Sequence, residues 1–136
     1  MENIARLLIA EELRLHESSD TEARAAVRVC QKVGGMLSSL TGSRACQSLL
    51  ARALALGVRE AAWLGGITTR ADGTLLIGPE AEMEMTKKEA AEGGVILVTK
   101  LLKLLETFIG EAVTLRLVQQ IWPGASLKDG KREGRK

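Results

Sequence analysis

The chain has 136 residues, of which 46% are apolar and 26% charged, and it carries a net charge of +2. That length supports one hydrophobic core rather than two, and that balance excludes a chain too polar and too charged to fold. The near-neutral total conceals segregation: residues 1–20 hold five acids against two bases, 21–64 six bases against two acids, 65–92 six acids against three bases, and 128–136 five bases against two acids.

In chain order, residues 3–16 place Ile4, Leu7, Leu8 and Leu15 at helical spacing between charged positions, which predicts an amphipathic first helix. Ser19 and Glu22 have the spacing of a capping box, in which each side chain satisfies the other's backbone N–H. A second helix follows over 19–40, with Val27, Cys30, Val33, Leu37 and Leu40 on its apolar stripe and Gly34-Gly35 weakening its middle. Thr41-Gly42-Ser43 turns the chain into a third helix over 43–64, so helices two and three form an antiparallel hairpin.

Beyond Gly65-Gly66 the pattern becomes strand-like. Residues 67–70 and 74–77 flank Ala71-Asp72-Gly73, and Asp-Gly between β-favouring runs signals a hairpin. An acidic connector with Glu80, Glu82 and Glu84 leads to a second capping box, Thr86 and Glu89, where helix four begins. Gly93-Gly94 is a candidate break or hinge, after which one long helix is predicted over 95–121, stopped by Trp122-Pro123-Gly124. The fold class expected is mainly α: an antiparallel four-helix bundle with a small β-hairpin inserted between helices three and four. Residues 1–125 form its single domain, and 126–136 a disordered basic tail.

The chemistry-bearing residues are few. There is one His, no Tyr and two Cys. His16 stands at the end of helix one, where a cationic ring suits the helix terminus. Cys30 and Cys46 fall on facing apolar stripes and read as reduced core thiols without CxxC spacing. The stretch from Gly124 to Arg132 only superficially resembles a phosphate loop, because five residues separate its glycines and Arg132 stands where Ser or Thr is required. Glu80, Glu82, Glu84, Glu89 and Glu92 lack the Asp/Asn spacing of a calcium loop. These patterns imply no enzyme, no cofactor and no metal.

Two patterns point instead to binding. The predicted fourth helix is apolar over more than half its circumference, which suggests a homodimer interface through Leu101, Leu105, Phe108, Ile109 and Ala112, with Trp122 as an anchor at its end. The favoured expectation is a non-enzymatic adaptor or regulatory module that pairs with itself and with another protein. The alternative is a nucleic acid or acidic partner held by Arg24 and Arg28 of helix two and Arg44, Arg52 and Arg59 of helix three, aided by the tail. A third is a small-ligand receptor with its pocket inside the bundle. Charges at Lys100, Lys103, Glu106, Glu111 and Arg116 interrupt the most apolar stretch and argue against a membrane span. The absence of a leader-like N-terminus and of paired cysteines suggests a cytoplasmic protein.

Overall fold

The computed structural model describes residues 1–15, 22–70, 75–78 and 85–125. Five α-helices, a short 3-10 turn and two strands make up the described fold: α1 Glu2–Leu15, α2 Glu22–Thr41, α3 Ser43–Gly57, the 3-10 turn Ala62–Gly66, β1 Ile67–Thr69, β2 Leu75–Ile77, α4 Lys87–Ile109 and α5 Glu111–Ile121. The mainly helical class and the antiparallel hairpin are as the sequence predicts. The count of four helices is not. The hairpin turn at 71–73, the acidic residues 80–84, the first capping box at Ser19, His16 and the tail 126–136 lie outside the described residues.

Each departure has a local cause. The rod expected over 95–121 is broken at Gly110, whose φ of +92° is a conformation that side-chain-bearing residues rarely adopt. The apolar period runs on through the break, so periodicity alone merges α4 with α5. Gly93-Gly94, by contrast, leaves α4 intact and serves as a point of close approach. A Cβ at Gly93 would stand 2.2 Å from the Trp63 indole nitrogen, and one at Gly94 would stand 3.0 Å from the Cβ of Ala26. The predicted third helix ends seven residues early, at Gly57, because the chain folds back and seats Leu64 on it: a Cβ there would lie 2.7 Å from Leu64 Cδ1.

The hairpin between α2 and α3 turns on Gly42 alone, also at φ +92°. Gly34 then lies against Cys46 and Leu50, which fixes the two helices as antiparallel. Thr86 caps α4 as predicted, accepting from Glu89 N at 3.1 Å while Glu89 Oε1 accepts from Thr86 N at 2.9 Å. The strands pair Ile67 with Ile77 and Thr69 with Leu75, and Gln31 of α2 donates to the carbonyl of Leu75 at 2.7 Å, tying the sheet to the helices.

One core runs through all of these elements, with Leu8, Val29, Leu37, Leu50, Leu64, Leu97, Leu101, Leu102 and Leu105 fully buried. Gly57 meets Ile96 and Leu97, and Gly94 meets Ala26, so the first half of α4 lies beside the start of α2 and the end of α3. The chain then returns along α5. Trp122, twelve residues beyond the Gly110 corner, reaches Lys32, ten residues before the Gly42 turn. The Gly42 turn and the Gly110 corner therefore share one end of the bundle, because 1.5 Å of rise per residue makes those two distances nearly equal.

Candidate functional site

The inner face of α1 carries Ile4, Ala5, Leu8 and Ile9, and one helical turn farther on the same line calls for another apolar residue. Glu12 stands there, fully buried. Its carboxylate accepts from Arg28 Nε at 3.0 Å on Oε1 and from Trp122 Nε1 at 2.8 Å on Oε2, and Lys32 Nζ pairs with the same Oε2. Arg28 and Lys32 are four apart on α2 and so reach the acid from one side, while Trp122 comes from the turn after α5 with the ammonium of Lys32 6.0 Å from its ring centroid. Burial pushes the Glu12 carboxyl up, but the hydrogen bonds from Lys32, Trp122 and Arg28 and the charge of Lys32 outweigh it and hold the group below its ordinary range. Such a carboxylate is a clamp joining α1, α2 and the end of α5, with its proton affinity moved away from that of a general base at neutral pH.

The neighbouring Glu11 forms a bidentate pair with Arg14, at 2.8 Å to Nε and 2.7 Å to Nη2, and the Arg14 hydrogen bond lowers its pKa. The segment after α5 presses on this pair: a Cβ at Gly124 would stand 2.5 Å from Glu11 Oε2. The acid cluster of α1 thus anchors the far end of the described chain.

A cleft of about 290 Å³ opens at the surface between α2 and β2, lined by Arg24, Val27, Arg28, Leu75, Leu76 and Ile77. It is not the pocket inside the bundle that the third expectation invoked. Its walls combine Arg24 and Arg28, the latter paired with Glu12, with an aliphatic strand.

The residues expected at a dimer interface divide in two. Leu101, Leu105 and Trp122 are buried in the chain's own core and offer no surface to a partner. Phe108 and Ala112 are exposed and Ile109 is half-buried. Leu40 and Val113 are exposed as well; the sequence places both on apolar stripes, of helix two and helix four, and does not say which part of a stripe stays in water.

The five arginines of the two expected basic stripes divide as well. Arg28 turns inward to Glu12, and Arg24 lines the cleft. Arg44, Arg52 and Arg59 are exposed. The Glu12 clamp itself was legible only as an acid on an apolar line, four residues beyond Leu8.

Cys30 and Cys46 are buried free thiols, and desolvation pushes Cys30 up to about 12. Among the described residues no group of three or more His, Cys, Asp or Glu side chains could hold a metal ion, and no helix is long and apolar enough to cross a membrane. In comparisons with known proteins, no family model, no curated protein and no solved structure matches the chain.

Proposed function

We propose that this chain is a non-catalytic protein-interaction module that works as a homodimer, pairing through the bundle end that holds the Gly42 turn and the Gly110 corner. One observation carries the reading: α2, α4 and α5 each leave a large apolar side chain in solvent at that end. Phe108, the only Phe of the chain, is 54% exposed, Leu40 64% and Val113 42%. Leu40 is fourteen residues beyond Ala26, and Phe108 fourteen beyond Gly94, which packs against Ala26; both arrive about 21 Å farther along.

Exposed aromatic surface of this kind is worth covering. An aromatic side chain presents about 150–250 Å², so hiding half of Phe108 contributes about 2–3 kcal/mol per subunit. Pairing along a rod over 95–121 has no support left, since its central leucines are covered by α1, α2 and α3. The module acts end-on.

Size-exclusion chromatography with light scattering tests this at high micromolar concentration. The native chain should give twice its mass of 14.6 kDa, and Phe108→Asp should give 14.6 kDa with an unchanged circular dichroism spectrum. A native chain that stays at the single mass would overturn the proposal.

A further inference from the structure

The outer face of α3 carries charge of one sign. Residues 43–59 contain no Asp or Glu. At 100° per residue, Arg44, Ser48, Ala51, Arg52 and Ala55 of α3 fall within an arc of about 100° and all five are exposed, and Arg59 follows, exposed, in the turn two residues beyond the helix. Arg44 and Arg52 are eight residues apart, about 12 Å along the axis, and the side chains between them are small. The nearest acid beyond them, Glu60, is held by Lys100 at 2.7 Å.

We propose that this face binds the phosphate backbone of double-stranded nucleic acid without reading its sequence. Arginine presents a planar fork that pairs with phosphate oxygens two at a time, and Ser48, Ala51 and Ala55 let the helix backbone approach a rigid polyanion closely. A protein partner would call for an apolar anchor at the centre of the surface, and the exposed positions from Arg44 to Ala55 provide none; the exposed Val58 lies beyond the end of α3, at the margin of the face. A single strand would call for aromatic platforms, and Trp63, Phe108 and Trp122 all lie on other elements. Charge and flatness without anchors are what a duplex backbone needs.

The test is fluorescence anisotropy of the full chain with a labelled duplex of arbitrary sequence, titrated from 50 to 200 mM salt. Three phosphate contacts give a log–log slope of about −2.7, which weakens binding about 40-fold across that range. R44A/R52A/R59A should reduce the slope by about 2.7 and the affinity at 50 mM salt by more than tenfold. R44K/R52K/R59K should keep the slope while binding more weakly, and Ala55→Glu, a favourable helix residue at an exposed site, should weaken binding without loss of fold. Three results each overturn the proposal: no binding of the native chain at 50 mM salt; unchanged affinity and slope in the triple alanine variant, which would assign binding to the basic residues 128–136; and competition by polyglutamate as effective as by unlabelled duplex, which would assign the face to acidic proteins. The duplex readout is independent of Phe108, so its failure and failure of the dimer are separate outcomes.

Discussion

A glutamate in the line of a helix's leucines is either an error of folding or a fastener, and the surroundings of Glu12 decide for the fastener. The carboxylate is fully buried, so its desolvation opposes folding, and the geometry of Arg28, Lys32 and Trp122 makes the site favourable. Glu12→Gln keeps the shape but replaces a charged acceptor with an amide, whose N–H groups then face donors. The expected loss is about 3 kcal/mol in chemical denaturation, somewhat below that of a fully sequestered pair because Arg28 and Lys32 keep some contact with water. The pH dependence gives the same residue a second signature. Its folded pKa lies below the ordinary value, so the stabilisation is fully present above the unfolded pKa and is lost as the pH falls through the folded one. Unfolding free energy should therefore fall below about pH 5 in the native chain and fall less steeply in Glu12→Gln. Equal slopes in the two proteins would mean that Glu12 is not the titrating fastener. Glu11→Gln should lose less, because its partner Arg14 stands in solvent.

At the scale of the elements, glycines explain both what was legible in the sequence and what was not. Helix starts and stops with chemical signals were readable: Thr86 with Glu89 at the head of α4, Gly42 between α2 and α3, and Trp122-Pro123 after α5. The ends of α3 and α4 were not, because each rests on a glycine whose role depends on contacts or dihedral angles that no local pattern encodes. Gly57, Gly93 and Gly110 look alike in sequence, yet one is a seat for Leu64, one a seat for Trp63 and one a corner. Two helical glycines make the distinction measurable. Gly35 is exposed with nothing within 4 Å of an added Cβ, so Gly35→Ala should stabilise the fold by about 0.5–1 kcal/mol through helix propensity alone. Gly93→Ala should instead cost about 1–3 kcal/mol, because the indole of Trp63 occupies the space and donates to Glu89 O at 2.8 Å, so moving it breaks a hydrogen bond. Thermal or denaturant midpoints that shift in the same direction for both variants would show that propensity, and not the Trp63 contact, governs these positions.

At the scale of the molecule, burial reassigns roles that amphipathic patterns can only nominate. The wide apolar circumference of α4 is real, but α1, α2, α3 and α5 take up most of it, so Leu101 and Leu105 hold the monomer together and only the tip at Phe108 is left in water. Sequence periodicity reports how much of a helix wants cover, and it is silent on whether the cover comes from the same chain. Mass action separates the two cases. If the folded chain pairs and the unfolded chain does not, raising concentration raises the thermal midpoint. With an unfolding entropy of about 2.1 cal/mol/K per residue, a fully dimeric protein of this length gains about 2–3 °C for each tenfold increase. The native chain should follow that trend from low to high micromolar concentration, and Phe108→Asp should remove it. R52A/R59A should leave it intact, because these two arginines stand about 15 Å or more along α3 from the Gly42 turn. A native midpoint independent of concentration would mean that Leu40, Phe108 and Val113 remain in solvent, and it would remove the physical basis for self-association.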